Sequence, residues 1–341
     1  MSRVCCDGDR DSDRVRREAG GRVAEMAWYE AGASIGVLRN QRQHRPKRIS
    51  FAVRALAAGL VLCSLAASAC TAAPTGGGRW VFASVPARES GTGERDTRVW
   101  LPPSYDRPES ATRRYPVVVF LHGWPGAEGN WPGQGRAGET LGRLIAAGRI
   151  PEVIGLFPDG TGTGFIGRSL WVDSWDGRAK VETFVVRDMF AWADTAFRTR
   201  ADPADRAAIG LSDGATGAMN LVIRHPEVFG AAGGHSGDYL IERDMSNSRI
   251  FGPEPGASRL RAEASPLLTV VKAADHLRHA HIYLDCGQDD PSIDETRALH
   301  ARLDSLGVHH TYAEYPRGHD WAYWRTHLVQ SLEAVTKGMR R

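Results

Sequence analysis

One stretch constrains what this chain can become: Arg206-Ala-Ala-Ile-Gly-Leu-Ser-Asp-Gly-Ala-Thr-Gly-Ala218. An apolar run, Ala207 to Ile209, predicts a strand. It enters Gly210-Leu-Ser-Asp-Gly214, a G-x-S-x-G sequence, and a helix is predicted over Thr216 to Arg224. A strand that turns this sharply into a helix strains the serine backbone and holds its hydroxyl out at the sheet's C-terminal edge. Glycines on both flanks let strand and helix approach without a Cβ clash. The first backbone N–H of the new helix then faces whatever the serine attacks. In a chain with 38 glycines the motif alone says little. Its setting between strand and helix says much more. The competing reading is a helix N-cap serine on an ordinary βα loop. Acid and histidine candidates further along, in that order, argue against it.

The 341 residues, 42% hydrophobic and 24% charged with net charge +3, suit one large globular domain or two small ones. No basic stripe interleaved with aromatics points to nucleic acid. Cys5, Cys6, Cys63 and Cys70 all lie in the first seventy residues. The folded part then holds only Cys286, expected as a small apolar residue near a strand end, so no disulfide framework or metal cluster is predicted there. No metal or organic cofactor is implied.

Residues 1–46, rich in Arg, Asp, Glu and Gly, are read as a disordered extension. Residues 47–70 are read as a signal peptide, with Arg45-Pro-Lys-Arg48, an apolar run from Phe51 to Leu65 broken by Arg54, and Ala66-Ala-Ser-Ala-Cys70. A true start at Met26 or later would bring this segment to the N-terminus. Ala67-Ser-Ala69 fits a cleavage site. With Cys70 it also resembles a lipoprotein box, Cys70 being the lipidated residue and a membrane tether. The expected location is therefore secreted, or on the cell surface as a lipoprotein. Residues 71–78 read as a linker and 79–341 as the folded domain.

Within that domain Arg79–Ala83 and Thr97–Leu101 read as strands joined by a hairpin loop. Val117–Leu121 is continuously apolar, as expected of a strand buried on both faces. Helix and strand then alternate: helix Glu139–Ala147, strand Val153–Phe157, helix Lys180–Phe197, the serine strand and helix, and a strand at Phe229–Gly233. An irregular stretch from Asp238 to Ala264 follows, then helix Pro266–Leu277, strand His281–Asp285, a helix from Ile293 to Leu306, strand His310–Tyr315 and helix Trp321–Lys337. This alternation predicts an α/β fold, a mostly parallel central sheet flanked by helices on both faces. Ligands bind at the carboxyl ends of such strands. Ser212, Trp124, Asp290 and His319 all fall just past a predicted strand end.

A serine hydroxyl is a poor nucleophile at neutral pH and needs a base. His319, in Pro316-Arg-Gly-His-Asp-Trp321, follows the last strand and precedes the last helix. His276, His279, His281, His300, His309, His310 and His327 read as surface or core residues. His235, in Gly233-Gly-His-Ser-Gly-Asp238, also follows a strand, but it lies between serine and acid and reads as a pocket wall. An acid must hold the imidazole in its working tautomer. In Cys286-Gly-Gln-Asp-Asp290 both Asp289 and Asp290 are within reach, and Asp320 is expected to face elsewhere. The oxyanion formed on attack needs two donors, expected from the N–H groups of Asp213 and Trp124. A carboxylate at Asp213 is unfavourable beside that anion unless it turns away or is paired.

Several segments together resemble the esterase D family of esterases, over about residues 95 to 335. They are Arg98-Val-Trp-Leu-Pro-Pro-Ser-Tyr105, Tyr115-Pro-Val-Val-Val-Phe-Leu-His-Gly123, Gly210-Leu-Ser-Asp-Gly214, Arg224-His-Pro-Glu-Val-Phe-Gly230, Tyr283-Leu-Asp-Cys-Gly-Gln-Asp-Asp290 and Gly318-His-Asp-Trp321. That family includes S-formylglutathione hydrolases, feruloyl esterases, enterochelin-esterase-like proteins and mycolyltransferases. The resemblance implies an α/β-hydrolase fold with the triad Ser212, Asp290 and His319. It also implies a pocket segment at Trp171-Val-Asp-Ser174, with Trp171 and Ser174 facing the acyl group. The elbow departs from the usual S-M-G-G by reading Ser212-Asp-Gly-Ala215.

The implied activity is hydrolysis of a small-molecule carboxylic ester through an acyl-enzyme on Ser212. Three alternatives stand beside it. One is an acyltransferase passing the acyl group to a sugar or lipid alcohol, against which the aspartate acid argues, since mycolyltransferases commonly use glutamate. A second is a prolyl-oligopeptidase-type peptidase, against which the lack of a propeller or large N-terminal domain in the sequence argues. The third is a non-catalytic binding protein on the same scaffold.

Overall fold

The structure is a computed structural model that describes residues 77–163, 167–243 and 248–341. The proposed extension, the signal segment, Met26, Cys5, Cys6, Cys63, Cys70 and the linker up to residue 76 lie outside the described residues. Among the described residues no helix is long and apolar enough to cross a membrane.

Eight strands form one sheet in the order β1-β2-β4-β3-β5-β6-β7-β8. They are β1 (Arg79–Ala87), β2 (Gly93–Leu101), β3 (Val117–Leu121), β4 (Ile154–Pro158), β5 (Arg206–Leu211), β6 (Ala231–His235), β7 (His281–Gly287) and β8 (Thr311–Tyr315). The β1–β2 and β2–β4 pairs are antiparallel, and every other pair is parallel. This is the mostly parallel sheet that the alternation predicts, in the α/β-hydrolase arrangement that the resemblance implies.

Its core follows from period-two side-chain alternation in fully buried strands. Val117, Val119, Leu121 and Ala208 join one apolar cluster, with helix residues such as Met189, Met219, Val270 and Leu299. Val118, Phe120, Ala207 and Ile209 point the other way, into a second cluster with Leu141, Leu144, Leu328 and Leu332. The helical segments contributing to the first include Phe184–Met189, Phe190–Ala196, Asp213–Arg224, Pro266–Leu277 and Ile293–Ser305; those contributing to the second include Ala137–Ala146 and Trp321–Val335.

β1, β2 and β6 differ in extent from the expected strands, and two further stretches differ in kind. The helix expected over Lys180–Phe197 is broken into Val181–Thr183, a π-helical segment Phe184–Met189, and Phe190–Ala196. The stretch expected to be irregular carries short helices at Ser248–Phe251 and Gly256–Glu263. There Ile250, Phe251 and Ala257 pack with Leu170 and Val172 into a small third cluster. Three apolar side chains suffice to pin such short helices, although they are too few to give a periodic signal.

Register brings the parallel strands to a common edge. Leu121 pairs with Gly210, Leu211 with His235, His235 with Asp285, and Gly287 with Tyr315. The chain leaves each of these strands within a few residues of Gly123, Ser212, Ser236, Asp290 or His319.

Candidate active site

Ser212 sits where β5 stops and the helix Asp213–Arg224 begins, with φ 52° and ψ −124°. A non-glycine residue held there costs on the order of 1–3 kcal/mol, repaid by its surroundings. The flanking glycines are required by contact. A Cβ on Gly210 would overlap the Gly214 carbonyl, and one on Gly214 would overlap the Leu121 carbonyl. Both obstacles are backbone and cannot swing aside. Replacing either glycine with alanine should therefore cost at least about 3 kcal/mol, read by urea unfolding.

His319 Nε2 lies 3.0 Å from Ser212 Oγ. Its Nδ1 lies 3.1 Å and 3.0 Å from the two Asp290 carboxylate oxygens. A carboxylate only accepts, so Nδ1 carries the hydrogen and Nε2 presents its lone pair to the serine. Trp324 and the His319 ring pack edge to face, 4.8 Å between centroids. The Asp290 side chain is fully buried. Burial raises its pKa, but His319, the Ser292 N–H and the Ser236 hydroxyl outweigh that, and the net direction is below the ordinary carboxylate value. Asp289 makes no such contact; its N–H donates to the Arg317 carbonyl at 3.1 Å. Asp320 instead caps the C-terminal helix, accepting from the Tyr323 N–H at 2.8 Å.

Beyond β3, a Cβ on Gly123 would stand 3.1 Å from Ser212 Cβ, so this loop lies directly against the serine. The His122 ring sets the loop's orientation. The Gly160 N–H donates to His122 Nε2 at 2.9 Å, so Nδ1 holds the ring hydrogen and donates to the Gly123 carbonyl at 2.8 Å. In a trans peptide C=O and N–H point oppositely. With the Gly123 carbonyl tied to His122, the Trp124 N–H is directed away from that ring.

Trp124 and Asp213 both line a small cavity of about 50 Å³, together with Gly123, Gly160, Ser169 and Trp171. Trp171 is buried at φ 58°. Its indole N–H donates to the His122 carbonyl at 2.9 Å, and a Cβ on Gly217 would stand only 2.5 Å from its own Cβ.

Two pocket assignments need correction. His235 does not line the described cavity. Its ring is fully buried, with Nδ1 2.8 Å from Asp285 Oδ1 and Nε2 2.9 Å from Ser331 Oγ. It satisfies polar groups between sheet and C-terminal helix. Ser174 does not line the described cavity; its hydroxyl accepts from the Ala179 N–H and donates to Asp176, closing a turn.

The partner that Asp213 calls for is Arg168, which sequence reading missed. Arg168 Nε donates to Asp213 Oδ2 at 2.6 Å and its Nη2 to Oδ1 at 2.5 Å. Burial pushes the Asp213 carboxyl up from its ordinary value, and Arg168 offsets only part of that rise. Arg168 also lies over the Trp124 ring at 5.8 Å. Nothing in an aperiodic segment of Gly, Arg and Ser marks such a residue. Truncating Arg168 to alanine leaves a buried carboxylate without its counter-charge, and should cost about 3–5 kcal/mol in urea unfolding.

Comparison with known proteins gives a consistent picture. The family model described as "Putative esterase" matches residues 89–335. An endo-1,4-beta-xylanase/feruloyl esterase of Xylanibacter ruminicola is 32% identical over 46% of this chain and 22% of its own. An esterase of Mycobacterium tuberculosis is 28% identical over 65% of this chain and 51% of its own. The chain spans less than two thirds of the length of these curated relatives. A solved ferulic acid esterase superposes with TM-score 0.68 at 27% identity, over 77% of this chain and all of that one.

Proposed function

The chain belongs to the family described as Putative esterase, and from that premise we propose that it is a serine carboxylesterase working through an acyl-enzyme on Ser212. The observation that carries this reading is the unbroken hydrogen-bond chain Ser212 Oγ, His319 Nε2, His319 Nδ1, Asp290, on a serine held in a strained turn.

In this reading His319 Nε2 takes the Ser212 proton as Oγ bonds to the ester carbonyl carbon. Asp290 holds the Nδ1 hydrogen and stabilises the imidazolium. The carbonyl oxygen becomes an oxyanion and accepts from the N–H groups of Asp213 and Trp124. Because Arg168 pairs the Asp213 carboxylate, that charge does not stand alone beside the oxyanion. The intermediate collapses, the C–O bond to the alcohol breaks, and the imidazolium protonates the leaving oxygen. Water, deprotonated by His319, then attacks the acyl-serine; the acid departs and Ser212 recovers its proton.

The substrate is a small ester whose acyl part enters beside Trp171 and Trp124. Turnover across p-nitrophenyl esters of rising acyl length and across hydroxycinnamate esters tests this. The expected result is hydrolysis of at least one series that is lost on replacing Ser212; no turnover of either would contradict it.

The proposed location is outside the cytoplasm, from the Arg45–Cys70 segment. The mass of the mature N-terminus distinguishes lipidated Cys70 from free release.

A further inference from the structure

Three side chains with metal-binding chemistry meet across the turn between the helix Ile293–Ser305 and β8, and none of them belongs to the proposed hydrolytic site. His300 and Asp304 lie one helical turn apart, so they share a face. His310 immediately precedes β8. One ligand atom from each lies within 4.8 Å of the others.

The hydrogen-bond polarity of this cluster is fixed from one end. His310 Nδ1 lies 2.9 Å from the Val308 carbonyl, which only accepts, so Nδ1 carries the hydrogen. In neutral His310 the lone pair is then on Nε2, 2.7 Å from His300 Nδ1, which must donate to it. A neutral His300 is left with a bare Nε2 lone pair, 3.6 Å from Asp304 Oδ2. Two acceptors, one of them anionic, face each other, and added positive charge in the cluster, a proton or a metal ion, relieves that contact. The rings are held in place: the His310 side chain is 2% exposed, and His300 stacks on Tyr312 at 4.1 Å and 8°.

We propose that His300, Asp304 and His310 bind one divalent transition-metal ion of the Zn²⁺ class, tying the helix to the edge strand β8. Two imidazoles and a carboxylate are donors that such ions take. The facing nitrogens His300 Nδ1 and His310 Nε2, 2.7 Å apart, need open only to the edge of a tetrahedron, roughly 3.3–3.5 Å for bonds of about 2.0–2.1 Å, and a ligand atom of Asp304 lies within 4.8 Å of one from each ring. The His310 Nδ1–H bond to a backbone carbonyl orients the ring and leaves the opposite nitrogen for the ion, as in ligating histidines generally. The ion takes the place of the proton shared by the two imidazoles, and water completes its shell. Asp304, with 63% of its side chain exposed, leaves the entry path open.

The test titrates the full chain with Zn²⁺ by calorimetry and with Co²⁺ by visible absorption. One equivalent should bind, with tetrahedral d–d bands and no thiolate-to-cobalt charge transfer, and Zn²⁺ should raise the thermal unfolding midpoint. Asp304→Asn, at an exposed position, and His300→Gln should each weaken binding at least about tenfold and remove the thermal shift. His319→Gln should leave binding unchanged. No stoichiometric binding, a thiolate signature, or full binding in the Asp304→Asn/His300→Gln double variant would overturn the proposal.

Discussion

Replacing Ser212 with alanine is expected to slow p-nitrophenyl acetate or butyrate turnover on the order of 10⁶-fold. The effect is this large because nucleophile, base and acid act as one unit. Without Oγ, His319 has no proton to take and Asp290 has no imidazolium to stabilise. What survives comes from oxyanion donors and binding, roughly 10³–10⁴ over water. The loss must come with an intact fold. The Ser212 hydroxyl bonds to His319, and alanine meets the same backbone strain at φ 52° as serine. Urea unfolding should therefore move by less than about 1 kcal/mol. Turnover within a hundredfold of the parent would contradict the assignment.

The second large effect is expected from Asp290→Asn, a loss on the order of 10⁴ in kcat. Asparagine can turn its amide N–H toward Nδ1, which then becomes the acceptor. The ring hydrogen moves to Nε2, which then donates to Ser212 Oγ and has no lone pair left to take the serine proton. Stability changes with a defined sign. The folded-state pKa of Asp290 lies below its ordinary value, so the carboxylate's contribution is present above the unfolded value and fades as pH falls through the folded one. The stability gap between parent and variant should thus be widest near neutral pH and narrow on acidification below the ordinary carboxylate range. Urea titrations at neutral and acidic pH measure it. A gap that widens on acidification would show that Asp290 is not held as the anion.

The centre of the parallel sheet was readable because strands such as β3 and β4 are buried on both faces and run as continuous apolar segments; Val117–Leu121 is predicted to the residue. The serine, acid and histidine positions were readable because each follows a strand in chain order. Spacing alone left Asp289 and Asp290 open, since adjacent residues in a turn differ only in where the backbone aims them. His235 was misread for a related reason. Its strand, Ala231-Ala-Gly-Gly-His235, contains only small residues before the histidine, so the alternation that would tell which face the ring takes is absent. Arg168 lies 45 residues from its partner, in a segment with no period, and only the folded chain brings the pair together. The π-helical segment Phe184–Met189 keeps an apolar stripe that a regular helix would also show.

The most direct measurement is covalent labelling by a fluorophosphonate, followed by intact mass and peptide mapping. A nucleophilic Ser212 predicts a single adduct, mapped to the Gly210–Gly214 peptide and absent from Ser212→Ala. An adduct on any other residue, or one that persists in that variant, would contradict an acyl-enzyme at this serine.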